Sequence, residues 1–276
     1  MCRLFAQHAR ADHQSHEPLC VAHNALRTQS HQHPHGWGIA WYDESGVQVR
    51  RGVMPAHADD AFVAAAREAR SEIVVAHVRD ASVGPVTEKN THPFVYGPWL
   101  FAHNGTVARY RRVARVRAAL VAEIDPALRR AIAGDTDSER CFFLFLTRLA
   151  ARVPSNRPAE LSEVRRALAE TVASVTRIAD SASENPSSLN FLVSDGRLLA
   201  VCRRGRTLHV AQRTEQGGLF AIASEPIGQG PWRPVAEGGF VGIDPAYRVH
   251  EGSLLHRRLL SRFHPRGPGR PRRRAR

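Results

Sequence analysis

Apolar positions along the chain come mostly in short runs, with longer amphipathic stretches only in the middle. CRLFAQH (2–8) opens as a strand and is followed by a polar, histidine-rich loop, with a short helix predicted around 18–29. WGIAWY (37–42) and VQVRR (47–51) predict a hairpin around the turn at Asp43–Gly46. ADDAFVAAAREAR (58–70) reads as a helix, with acids early and arginines late to suit its dipole. EIVVAHV (72–78) reads as a buried strand and leads into a long polar loop through 97. PWLFAHN (98–104) is a further strand, ended by a turn at Gly105.

Residues 106–134 predict an Arg-rich helical segment. Asp135 or Thr136 fits the N-cap of a helix running to about 152, with Glu139 placed as a capping-box acid. Another helix fits 159–180, and strands follow at 188–195, 197–203, 207–213, 218–224 and 239–244. Strands, then helices, then strands lack the regular βα alternation of a doubly wound sheet. The pattern predicts an α+β fold of stacked antiparallel sheets with helices outside.

Composition changes this picture little. Of 276 residues, 43% are hydrophobic and 24% charged, ordinary values for a globular domain with a sizeable core. No run approaches the ~20 apolar residues of a membrane span. After MCRLFA the chain turns polar, unlike a signal peptide, which predicts a cytoplasmic protein. The net charge of +13 raises nucleic-acid binding as a function class. Lys89 is the only lysine, however, and removing residues 262–276 with their seven arginines lowers the formal charge to +6. The expectation is a domain over 2–261 and a solvated, disordered Arg-rich tail over 262–276.

Cys2, Cys20, Cys141 and Cys202 show no CxxC spacing, so neither a disulfide framework nor a zinc ribbon is indicated. The alternating His31, His33 and His35 lack a carboxylate-rich partner motif, and no metal or other cofactor is expected. His77, His92 and His103 sit in or near apolar strands, where histidines are usually satisfied core residues.

Cys2 has two readings. It is a strand residue, or, once Met1 is removed, an N-terminal residue that carries both a thiol nucleophile and an amine base. The α-amine titrates near pH ~7.7–8.0, where a general base is useful. Asn104 and Gly105 form either an ordinary turn or a pair of donors for a developing oxyanion. Arg79, just past a strand, is a surface charge or a bidentate carboxylate ligand. Asp137, near a helix start, is a cap or a partner for an ammonium group.

Taken together, MCRLF, HPHGWGIAWY, VVAHVRDAS, NTHPF, FAHNG and GDTDSE resemble, in order and spacing, the class II glutamine amidotransferases, members of the N-terminal-nucleophile hydrolases. The resemblance covers roughly residues 2–255 and is greatest to the small stand-alone branch, which includes γ-glutamyl amidohydrolases of ergothioneine synthesis and glutathione breakdown. It implies a four-layer α-β-β-α sandwich. It implies Cys2 as nucleophile, Asn104 and Gly105 as the oxyanion hole, Arg79 on the substrate α-carboxylate and Asp137 on the α-amine. The substrate would be glutamine or a γ-glutamyl small molecule, attacked to give a γ-glutamyl thioester that water hydrolyses. Two enzyme readings follow: a glutaminase that passes ammonia to a separate synthase or hydrolase subunit, or a γ-glutamyl peptide hydrolase of thiol metabolism. Nucleic-acid binding through the basic tail is the distant alternative. One position departs from the branch: His35 stands where H-x-D-G-W-G has aspartate.

Overall fold

In the computed structural model, which describes residues 2–181, 183–213 and 218–254, the chain begins with β1 (Arg3–Gln14). α1 (Leu26–Gln29), β2 (Trp37–Asp43), β3 (Gly46–Gly52), α2 (Asp60–Glu68), β4 (Arg70–Val78), β5 (Phe94–Tyr96) and β6 (Trp99–Thr106) follow. The helical middle comprises α3 (Ala114–Ala122), α4 (Pro126–Arg129), α5 (Asp137–Ala150) and α6 (Leu161–Ala179). Then come β7 (Ser188–Ser194), β8 (Leu199–Cys202), β9 (His209–Arg213), β10 (Leu219–Ala223), β11 (Arg233–Pro234), β12 (Gly239–Ile243) and β13 (Val249–Ser253).

The strands make two antiparallel sheets, ordered β11-β9-β10-β1-β4-β2-β3 and β13-β12-β8-β7-β6-β5. Period-two alternation explains why they stack. Leu4 and Ala6 of β1, Ile73 and Val75 of β4, Leu100 and Ala102 of β6, and Leu192 of β7 fill one core between the sheets. The residues between them face outward: Phe5, Val74 and Ala76 pack with Phe62 of α2, whereas Phe101 and Phe191 pack with Phe142 and Phe145 of α5. Three apolar layers therefore bind four structural layers, the expected α-β-β-α sandwich. β12 and β13 pair within the second sheet, so the chain as far as Ser253 is part of the architecture.

Several elements differ from the sequence reading. β1 continues past His8 to Gln14, with a register shift against β4 between His8 and His13. The helix expected at 18–29 is two short turns, Glu17–Val21 and Leu26–Gln29. Residues 106–134 are helical only in α3 and α4. At α5 the Thr136 hydroxyl accepts from Glu139 N at 3.2 Å, as an N-cap should. The Glu139 carboxylate, however, accepts from Ala133 N and Gly134 N; the reciprocal capping box belongs to α6, between Glu160 and Glu163. Among the described residues no helix is long and apolar enough to cross a membrane. The expected tail, 262–276, lies outside the described residues.

Candidate active site

Cys2 precedes β1, which is central in its sheet and is paired on both sides, to β4 and β10. The register opposes Arg3 to Val78, so Cys2 falls beside the residues that leave β4. Asp80 N donates to Cys2 Sγ at 3.3 Å, and the thiol lies 3.5 Å from the Asp80 carbonyl. Burial pushes the Cys2 thiol above its ordinary value, against the opposing effect of the Asp80 amide. Cys2 is therefore held as a thiol at neutral pH, and nucleophilic work would require a base.

Asn104 and Gly105 come from β6, on the facing sheet. Asn104 is buried, and its Nδ2 lies 2.8 Å from Ser224 Oγ. The same hydroxyl oxygen accepts from Leu4 N at 3.0 Å, and Ser224 N donates to the Leu4 carbonyl. Ser224 thus couples the start of β1 to Asn104 across the two sheets. Gly105 has a reason beyond a free approach for ligand: a Cβ there would sit 1.9 Å from the Ser188 carbonyl of β7. The close pairing of β6 and β7 demands glycine at this position.

Arg79 is buried at the end of β4. Its Nη1 donates to the Pro85 carbonyl at 3.0 Å, and its Nη2 to Val83 and Gly84 carbonyls at 2.9 and 3.3 Å. The guanidinium therefore clasps the loop that follows Cys2's contact residue Asp80. Asp137, the first residue of α5, accepts from Val107 N at 2.7 Å and from Ser138 N at 3.0 Å, tying the helix start to the end of β6. Cys2 and Asp137 are both close enough to act electrostatically on the Arg79 guanidinium. The five residues singled out in the sequence are thus gathered around one end of the two sheets.

Three neighbours were not singled out for this role. Asp80 contributes the backbone contacts to Cys2 Sγ, and Ser224 anchors Asn104. His35, the departure from the family pattern, packs over the same turn. Its Nδ1 accepts from Ala81 N at 3.1 Å and lies 3.2 Å from Asp80 Oδ1. The histidines of the sandwich interior behave as structural groups. His103 Nε2 must carry the proton it shares with the Ser188 carbonyl at 2.9 Å, which leaves Nδ1 to accept from Ser138 Oγ at 2.9 Å. Burial pushes the His77 imidazole down to about 3 and lowers His92 and His103 as well, so all three are neutral at pH 7.

The model of the class-II glutamine amidotransferases matches residues 1–225. The chain is 32% identical over 183 residues to the probable glutamine amidotransferase DUG3 of Saccharomyces cerevisiae; the match takes in 61% of this chain and 50% of that protein. It is 29% identical to the γ-glutamyl-hercynylcysteine sulfoxide hydrolase of Mycolicibacterium smegmatis, over 84% of this chain and 88% of that one. The chain thus spans half the yeast relative and nearly all of the mycobacterial one. Its fold matches a glutamine aminotransferase class-II domain protein from Silicibacter pomeroyi with a TM-score of 0.63 at 22% identity, covering 91% of this chain and 99% of that one. Sequence and fold agree: this chain belongs to the class II glutamine amidotransferases, an enzyme family with γ-glutamyl hydrolases among its members.

Proposed function

We propose that the protein is a γ-glutamyl amidohydrolase whose nucleophile is Cys2 after loss of Met1. The observation that carries this reading is the lodging of the half-buried Cys2 Sγ against Asp80 N, with Asn104 and Gly105 supplied by the facing sheet. The α-amine of Cys2 takes the thiol proton, and Sγ attacks the γ-carbonyl. The collapsing intermediate expels the amine, which leaves with the proton from the Cys2 ammonium. Water, activated by the same amine, then hydrolyses the γ-glutamyl thioester.

Asn104 supports the oxyanion role through its hydrogen bonding. With Nδ2 on Ser224, Asn104 Oδ1 is buried and has no partner. Exchanging the amide oxygen and nitrogen keeps the Ser224 bond and makes the unpartnered group a donor: the Ser224 hydroxyl, already an acceptor from Leu4 N, donates to the amide oxygen. Nδ2 then has its protons free for an oxyanion, with the Gly105 amide as second donor. Asp137 and Arg79 form the pole that selects the α-amino-acid end, with Arg79 also shaping the 83–85 loop.

Release of an amine-bearing group, rather than supply of ammonia to a partner, is the favoured reading. It is supported by the like-sized mycobacterial relative, itself named a γ-glutamyl hydrolase. The catalytic unit is taken as 2–261. Its four unpaired cysteines fit a reducing, cytoplasmic setting. The decisive experiment offers Met1-processed protein glutamine and a panel of γ-glutamyl amides, and examines Cys2 for a γ-glutamyl adduct by mass spectrometry. Release of glutamate with acylation of Cys2 is expected; turnover by Cys2→Ala protein would refute the mechanism.

A further inference from the structure

Beside the reaction centre a cleft of about 350 Å³ is bordered by Ser82 and Thr106 and walled by Arg109, Arg111, Arg112 and Arg206. Its two lips are fixed to the catalytic elements. Ser82 lies two residues beyond Asp80, which touches Cys2 Sγ, and Thr106 lies two residues beyond Asn104. Two residues span at most about 7 Å of chain. The Ser82 and Thr106 hydroxyls meet at 3.2 Å, so the β4 and β6 ends close on each other at the cleft mouth.

The charge of this wall is unbalanced. Among the described residues no aspartate or glutamate lines it, and Glu184, between the lining residues Ser183 and Asn185 in the chain, is exposed. Asp137 lies behind Val107 and belongs to the α-amine pole of the site; its carboxylate accepts from the Val107 and Ser138 amides. Elsewhere the arginines find acids: Arg148 and Arg177 share Glu123, Arg152 meets Glu170, and Arg204 meets Asp180 at 2.8 Å. Among the described residues, none of the four cleft arginines is in an ion pair, and Arg206 Nε is buried with no hydrogen-bond partner. Arg109 is held at φ 63°, a conformation uncommon for a residue with a side chain. Like charges gathered on a concave wall repel one another and focus a positive potential into it. An entering anion relieves both that repulsion and the orphaned donor.

Resting on the proposed γ-glutamyl hydrolysis, we propose that this cleft binds an anionic oxyacid group, carboxylate or phosphate, on the leaving-group half of the substrate. Among γ-glutamyl amides, those whose leaving amine carries such a group are then preferred over their neutral counterparts, with Arg109 and Arg206 setting the preference.

The test compares kcat/KM for three substrates: γ-glutamylglycine, γ-glutamylglycinamide and γ-glutamyl phosphoethanolamine. The glycine or phosphate substrate is expected to exceed the glycinamide by about 10- to 100-fold, the range of a charge-assisted contact, with the advantage shrinking as salt rises. The larger of the two anionic values identifies carboxylate or phosphate as the fitted group. Arg109→Gln with Arg206→Gln should bring the anionic and neutral values together, which separates recognition from the intrinsic reactivity of the leaving groups. Turnover of all three substrates at like efficiency overturns the anion site while leaving γ-glutamyl hydrolysis intact. Hydrolysis of none of them overturns the proposed function, and the anion site with it.

Discussion

Asn104 and Ser224 meet at 2.8 Å although they come from different sheets and lie 120 residues apart. Because Ser224 Oγ also receives the Leu4 amide, one hydroxyl fixes both the proposed oxyanion donor and the strand that follows the proposed nucleophile. Ser224→Ala should lower kcat about tenfold with little change in KM, the loss of one neutral hydrogen bond of orientation. It should also cost about 1–3 kcal/mol in denaturant titration, because Leu4 N and Asn104 become buried groups without a partner. Asn104→Ala should reduce kcat further, about 100- to 1000-fold. A change confined to KM in either variant would contradict the assignment.

Cys2→Ala should abolish turnover and leave the melting temperature nearly unchanged, since the side chain is small and half-buried. In the active protein the rate should rise with pH through the α-amine range near about 7.7–8.0, as the amine loses its proton and becomes a base. Alkylation of Cys2 should be slow at neutral pH, because burial holds the thiol protonated. Intact mass of the active species should lack Met1; retained Met1 in fully active protein would refute the amine-base role.

Arg79→Lys tests the loop clasp separately from charge. A single ammonium cannot reach the Val83, Gly84 and Pro85 carbonyls with the spread of a guanidinium. KM should rise about tenfold, the loss of roughly one charged contact. Proteolysis within 80–86 should quicken in the same variant. Unaltered cleavage there would show that the loop keeps its shape without the clasp.

Stability should fall on acidification because of the interior histidines. Burial lowers His77 to about 3 and depresses His92 and His103 below the usual 6.5. Between the ordinary value and the depressed one the unfolded chain binds protons that the folded protein refuses, so stability is lost as pH falls below about 6.5. Each such group contributes about 1.4 kcal/mol per pH unit in that window. Urea midpoints measured from pH 7.5 to pH 5 should decline, and His92→Phe should flatten the slope by one proton.

The strands whose side chains alternate between two cores were legible in the sequence, and so was Thr136 as a cap, because both depend on neighbours a few residues away. The segment 107–113 was not, although its local composition favours helix. Asp137 and Ser187 capture the Val107 and Ala108 amides from 30 and 79 residues away, and those bonds replace the helical ones. The short strands β5, β11 and β13 escaped because they exist only as partners of stronger strands. Within the site, residues carrying side-chain chemistry stood out. Asp80 and Ser224 did not, since one contributes its backbone and the other acquires its place through the pairing of β1 with β10.

Leu4 and Ser224, joined at the N-terminal end of β1, are 220 residues apart. A chain emerging from the ribosome at about 5–20 residues per second exposes β1 well before β10 exists. The strand must therefore wait, unpaired on that side, until some 220 further residues have been made. Exposure of the N-terminus and completion of the sheet are separated in time by the order of the gene alone, and a product truncated before β10 cannot form the Leu4–Ser224 bond.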